Sequence, residues 1–333
     1  MIQEHWNKVV REERPPKYRN YIRSSEIGMS FADRYQSMLG TPITNPFNER
    51  TLRIFDAGKV IEFIVVRSLA MAGILKSTQD WLELSETEDH LKVVGKLDAL
   101  VGGFSGWDDV QASIDKNLKE FGAGLDDGLL EGKATSILEG LKEMYPHGLP
   151  EPMLVEVKSI NSMAFWKKGN RDEFGNFKGY NHNKLQLYAY LEMSGIQQGI
   201  LLYVSKDDFT VAEIVVSRKD DELREKFYTD ITRMTSYFKN NELPTLEPEL
   251  VFNESRGIFE VNWNVSRSLY LSVLYGYQTP EDFEKFHHQT ILDINRALKH
   301  IRIGKIKAED YPVIEKYNLN AYATLDTEDE EEI

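Results

Sequence analysis

Val93-Val94-Gly95-Lys96-Leu97-Asp98-Ala99-Leu100-Val101 and Met153-Leu154-Val155-Glu156-Val157-Lys158-Ser159 are the stretches on which the reading of this chain turns. Each is apolar enough to be a buried strand, and each carries charge in its interior. Successive side chains of a strand point to opposite faces, so Glu156 and Lys158 share one face and Val155 and Val157 the other. By the same parity Asp98 sides with Lys96 and Leu100, while Gly95 permits close approach of a ligand or a neighbouring backbone. Charge in such strands is costly unless something compensates it, and a divalent cation is one such partner. Taken alone, Asp98 also reads as a satisfied structural acid, and Glu156-x-Lys158 as a cross-strand salt bridge. A third signal follows in Gln186-Leu187-Tyr188-Ala189-Tyr190, where Gln186 and Tyr190 stand four apart on one helix face. Carboxylates that hold a metal, a lysine beside the attacked phosphate, a glutamine on water or phosphate and a tyrosine on the strand together point to phosphodiester hydrolysis.

Outward from these stretches, a helix is expected from about Glu49 to Leu75, on the helical spacing of Ile54, Val60, Ile61, Ile64, Val65, Leu69 and Met71. Ser24 and Ser25 read as caps of a short helix from about Glu26 into Tyr35. Trp81–Ser85 and His90–Val101 read as strands about the polar turn at 86–89. Residues 102–150 open on Gly102-Gly103, carry helical stretches near 108–121 and 129–145, and read as a helical insertion between two strands. Beyond the Met153–Ser159 strand come a helix near 183–194, a strand pair at 199–205 and 210–217, a helix over 220–240, and a mostly helical remainder. The expected organisation is an N-terminal basic and helical segment over 1–50, a core over 51–217 with its insertion, a C-terminal helical region over 218–320, and a solvated acidic tail over 321–333.

Composition bounds the chemistry. The chain has 333 residues and a net charge of −14, which argues against broad coating of nucleic acid but not against a local basic groove. With no cysteine, thiolate zinc sites, disulfides, cysteine nucleophiles and iron–sulfur clusters are excluded. No apolar run approaches the ~18 residues of a membrane span. Met1-Ile2-Gln3-Glu4-His5 lacks a signal-peptide core, so the expectation is a cytoplasmic protein without a membrane partner. No Ser-centred nucleophile elbow is present. His287-His288 diverge by ~100° on a helix and read as surface or packing residues.

The combined pattern resembles the PD-(D/E)XK nuclease superfamily, and within it the RecB-like exonuclease branch that also includes the CRISPR-adaptation exonucleases. The resemblance covers about residues 55–217. It implies a restriction-endonuclease-like α/β core, with a central mixed sheet flanked by helices. It further implies metal ligation by Asp98 and Glu156, a catalytic Lys158, and a branch-specific Gln186-x-x-x-Tyr190 helix. Glu62, in Gly58-Lys59-Val60-Ile61-Glu62, matches the acidic position on the helix before the sheet. Mg²⁺ or Mn²⁺ is the implied cofactor and DNA the implied substrate, in recombination, repair or phage DNA processing. A recombination or single-strand-binding protein is the implied partner. Two departures stand out: the cluster cysteines of many relatives are absent, and the gap from Asp98 to Glu156 is unusually long. Residues 102–150 are therefore candidates for substrate gating or subunit contacts.

Between the second strand and the motif helix, the segment with Trp166, Lys167, Lys168, Arg171, Lys178 and Tyr180 interleaves cations with aromatics, a pattern that holds phosphates and stacks bases. Arg19, Arg23 and Arg34 are candidates to extend that basic track. The rival readings are a DNA-binding or assembly subunit without catalysis, and a structure-specific endonuclease.

Overall fold

The computed structural model of the chain describes residues 16–122, 127–253 and 256–303, with the side chains of 127–131, 168 and 302 outside that description. The acidic tail therefore lies outside the described residues. In chain order the elements begin with β1 (Ile22–Arg23), α1 (Phe31–Leu39), α2 (Glu49–Met71), β2 (Leu75–Thr78), β3 (Trp81–Leu84) and β4 (Val93–Lys96). Next are β5 (Ala99–Val101), α3 (Trp107–Phe121), α4 (Asp127–Met144), β6 (Met153–Ile160), α5 (Ser162–Trp166) and α6 (Asn181–Ser194). After these come β7 (Gln198–Ser205), β8 (Val211–Ser217), α7 (Asp221–Asn240), β9 (Leu250–Asn253) and β10 (Ile258–Val261). The last are α8 (Trp263–Ser266), α9 (Leu271–Tyr275) and α10 (Pro280–Arg302). The architecture is α/β, with mixed sheets flanked by helices. Two units divide the chain, one built on Tyr18–Met29 and Asn48–Glu242, the other on Ser30–Phe47 and the stretch from Leu243 onward.

In the first unit a five-stranded sheet runs in the order β2-β5-β6-β7-β8, and a three-stranded sheet in the order β1-β4-β3. Only β6–β7 and β1–β4 are parallel. The sequence pattern over 90–101 reads as one strand, but the structure breaks it. Thr78 pairs with Ala99 in the larger sheet and Trp81 with Lys96 in the smaller. Between them the backbone kinks while Leu97 N donates to Asp80 O at 2.9 Å and Gln79 N to Asp98 O at 3.3 Å. One bent hairpin thus serves both sheets. Asp98 sits at the bend and belongs to neither strand, so its expected strand parity with Lys96 and Leu100 does not apply.

Helix α2 begins at an Asn48 cap that accepts from Thr51 N at 2.9 Å. It ends at Met71 rather than near Leu75, because Gly73 takes φ +77° and Ile74 O accepts from Gly102 N as strand pairing begins. Its inner positions Ile61, Val66 and Ala70 pack on Leu75, Ala99, Val155, Val157 and Val204. Each large side chain buried there is worth about 1.5–3 kcal/mol.

The excursion from β5 to β6 leaves through Gly102 and Gly103, at φ +66° and +65°. A Cβ at Gly102 would meet the Glu151 and Pro150 carbonyl oxygens, so only glycine fits. Gly103 N donates to Pro150 O at 2.8 Å, closing the excursion at its base. Beyond that neck, α3 and α4 share a core of Val110, Ile114, Leu118, Ala134 and Leu141.

In the second unit, α1 starts later than its sequence suggests. Ser24–Glu26, which belongs to the first unit, forms a 3₁₀ turn, and in the second Ser30 caps the helix by accepting from Asp33 N. The C-terminal region is not wholly helical. β9 and β10 form an antiparallel hairpin, with Gly257 at φ +61° before β10. Its Phe259 packs on Ile294, Ala297 and Leu298 of α10. The aromatic and β-branched content of Leu250–Asn253 and Ile258–Val261 suits a pleated, half-buried surface better than a helix. His287 is buried against Glu249 and Tyr277, while His288 is exposed. Among the described residues no helix is long and apolar enough to cross a membrane.

Candidate active site

Strand β6 presents Glu156, 3% exposed, and Lys158 on one face, as period-two alternation requires. Lys158 Nζ donates to Glu156 Oε1 at 2.7 Å and to Gln186 Oε1 at 2.9 Å. Gln186 Nε2 donates to the same Glu156 oxygen at 2.7 Å and meets the Tyr190 hydroxyl at 3.0 Å. Tyr190 in turn donates to Lys96 O at 3.1 Å. The amide of Gln186 is therefore fixed in one orientation, its oxygen on the ammonium and its nitrogen on the carboxylate. Strand β4 allows this approach because Gly95 has no side chain. A Cβ there would collide with Ser24 Oγ and the Tyr190 ring.

Asp98 enters from the hairpin bend, and its Oδ2 accepts from Val157 N at 2.8 Å. Glu62 reaches the same place from α2, held by Gln79 Nε2 at 2.6 Å. The three carboxyls crowd one another. Burial and then the Glu156 charge push Asp98 up to about 7. Burial and then the Asp98 charge push Glu62 up to about 7. Glu156 is raised by burial, against the pull of Lys158. For Lys158 burial acts downward, but attraction to Glu156 and Asp98 outweighs it and the ammonium is held above its usual range. Among the described residues no donor reaches buried Glu156 Oε2.

Among the described residues, no three His, Asp or Glu side chains are already gathered about a common point as a metal requires. The carboxyls instead form a run from Glu62 through Asp98 to Glu156. The donor chemistry nevertheless suits a hard divalent cation. The oxygens are carboxylate, one has no donor among the described residues, and burial first, with mutual repulsion beside it, raises all three groups.

Several candidates lie elsewhere than the sequence suggested. Tyr190 is 2% exposed, so it props Gln186 and cannot lie along a bound strand. Gln186 is also buried, and its amide is spent on Glu156 and Lys158 rather than on water or phosphate. Arg19 is buried in an ion pair with Glu26, with a further bond to Tyr21 O at 3.0 Å. Arg34, 2% exposed, lies over the Phe31 ring. Neither can extend an exposed basic track, because each guanidinium is committed to a neighbour within its own unit. Arg23 stays exposed, 3.6 Å from Glu26.

The aromatic segment after β6 is built as a platform. Phe165 stacks on Phe177 with centroids 5.3 Å apart, and Phe177 meets Tyr203 edge-on at 4.8 Å. Above them the Arg171 guanidinium lies 4.3 Å from the Trp166 ring centre. Lys167 and Lys178 are exposed, as is Trp166, and Phe174 is 81% exposed. Tyr180 is half-buried, its backbone N–H bound to the Tyr203 hydroxyl at 3.0 Å. The Lys168 side chain lies outside the described residues.

Sequence reasoning passed over two residues at this site. His182 precedes Gln186 by one helical turn and is exposed, stacked parallel to Tyr180. Desolvation and then the Lys158 charge lower its pKa. The spacing 182–186–190 could have found it. Gln79 has no comparable motif and emerges only from the hairpin register.

No family model matches the chain, and no curated protein is similar to it. Among solved structures it is similar to the crystal structure of SSO0001, with 15% identity, 82% of this chain and 96% of that chain covered, and a TM-score of 0.43. A similarity so slight adds nothing to the reading of the site.

Proposed function

We propose that the protein is a metal-dependent DNA nuclease of the PD-(D/E)XK kind, close to the RecB-like exonucleases. The observation that carries this reading is the Gln186 bridge, which ties Lys158 and Glu156 together beside Asp98 and Glu62. A structural salt bridge needs no third partner with a fixed amide, and no two further carboxyls pressed against it.

Asp98 and Glu156 would hold the cation, with Glu62 completing the set. When bound, a divalent cation offsets phosphate charge and lowers the pKa of water. The residues of the chain supply the rest. Lys158 presents its ammonium to a phosphate oxygen or to the attacking water, where it stabilises charge that develops in the transition state. Gln186 and Glu156 fix where that ammonium stands. Tyr190, buried behind them, fixes Gln186. Val157 N–H holds Asp98 by its Oδ2, leaving Oδ1 for other partners. The exposed Trp166, Lys167 and Lys178 supply stacking and positive charge for a strand of nucleic acid, and half-buried Arg171 braces the Trp166 ring.

The test uses linear and circular DNA, single- and double-stranded, with Mg²⁺, Mn²⁺ or EDTA. The expected result is metal-dependent loss of linear DNA that disappears in Lys158→Ala. Metal-independent retardation without any loss of DNA would replace the nuclease with a binding subunit. Cleavage of circles would replace the exonuclease with an endonuclease.

A further inference from the structure

Gln79 stands where the bent hairpin passes from one sheet to the other. Its backbone is left-handed, φ +57°, in a residue that is exposed and is not glycine. Glycine or asparagine takes this conformation with less strain, so the position is sterically unsuited to glutamine. Such a conformation persists where the surrounding structure over-determines it. From this bend the chain makes two bonds to the carboxylate cluster. Gln79 N donates to the main-chain oxygen of Asp98 at 3.3 Å, and Gln79 Nε2 to Glu62 Oε1 at 2.6 Å. Glu62 lies on the more open side of the cluster and faces the negative charge of Asp98. Left to itself, such a carboxylate turns toward solvent and away from its like-charged neighbour. The Gln79 amide is the donor that opposes this movement. Among the described contacts no lysine or arginine forms an ion pair with Glu62.

We propose that Gln79 is a positioning residue for the metal site: its left-handed backbone sets the bend that delivers Asp98, and its amide holds Glu62 beside it. The inference rests on the nuclease reading, because it assigns these carboxylates to a cation. Outer partners that orient metal-ligating carboxylates commonly matter about 10- to 100-fold in metal affinity.

The test titrates Mn²⁺ alone, without DNA, into the wild type, Gln79→Gly and Gln79→Asn, reading free Mn²⁺ by its paramagnetic resonance and Tm in EDTA. Glycine keeps the bend and deletes the amide. Asparagine keeps the left-handed preference but leaves its amide one methylene short of Glu62. The expected result is Mn²⁺ binding weakened about tenfold or more in both variants, with Tm in EDTA unchanged or raised. Affinity and stability then move independently, which a merely structural role does not produce. Affinity in Gln79→Gly within twofold of the wild type would overturn the inference, and so would a Tm that falls in step with affinity. If the wild type itself binds no Mn²⁺, the nuclease reading fails, and that outcome is distinct from the other two.

Discussion

The two halves of the carboxylate cluster are built differently. On the side of β6 and α6, Glu156, Lys158, Gln186 and Tyr190 are locked by short hydrogen bonds in a buried setting. On the side of α2 and the hairpin bend, Glu62 and Asp98 meet as like charges and are held by single donors from Gln79 and Val157. The locked half fixes the position of a cation that is part of the chain. The other half holds carboxyls that have no ammonium or guanidinium bonded to them among the described contacts.

The comparison is broken most sharply by removing the resident cation. Lys158→Ala is expected to lower cleavage by about 1,000-fold or more, as loss of a charge-stabilising group does. It should also destabilise the fold at pH 8 by about 3 kcal/mol, since buried Glu156 loses its partner. Cleavage assays and urea denaturation measure both, and near wild-type cleavage would sink the mechanism. Gln186→Leu comes next. It strips a bond from Lys158, Glu156 and Tyr190 together and should cost about 2–3 kcal/mol in the same denaturation experiment.

The repelling half answers in the opposite direction. Asp98 and Glu62 have folded-state values of about 7, above their ordinary 3.8 and 4.5. The folded chain therefore binds the extra protons. Stability from this source is complete below about pH 4 and is lost as pH rises through 7. Asp98→Asn removes a charge that is buried and repelled by Glu156 and should raise Tm at pH 8 by about 3–6 °C, with the advantage gone by pH 4. A pH-independent difference would show that the uncompensated charge of Asp98 is not what separates the halves. The smallest effect belongs to Tyr190→Phe, which removes one hydroxyl from behind Gln186 and should cost about 1 kcal/mol. A cost as large as that of Gln186→Leu would mean that the tyrosine, and not the glutamine, organises the locked half.

The same division explains what could be read from sequence. The locked half rests on period-two and i,i+4 geometry, so the pairing of Glu156 with Lys158 on one strand face and of Gln186 with Tyr190 on one helix face was legible, but not the bonds of Gln186 to the strand pair. The tyrosine's burial was not, since it depends on Gly95 opening a slot in a strand far away in sequence. The repelling half depends on a backbone kink. Apolar alternation continues through Leu97 and Asp98, so nothing local shows that β4 and β5 join different sheets. Gln79 was invisible for the same reason. Arg19 and Arg34 looked like exposed charge because sequence shows a cation but not the Glu26 carboxylate or Phe31 ring that occupies it. The β9–β10 hairpin escaped because strands of four residues offer too few alternations to outweigh their helical surroundings.

The neck at Gly102, Gly103 and Pro150 has a consequence for how the site assembles. Asp98 and Glu156 stand far apart along the chain, and an unstructured excursion between them would make their meeting a rare event, each doubling of a flexible loop adding about 0.6 kcal/mol of closure entropy. Pinned at its base and filled by its own core, the helical pair turns that excursion into a short connection. To the diffusing chain, the two carboxylates are the neighbouring arms of a hairpin.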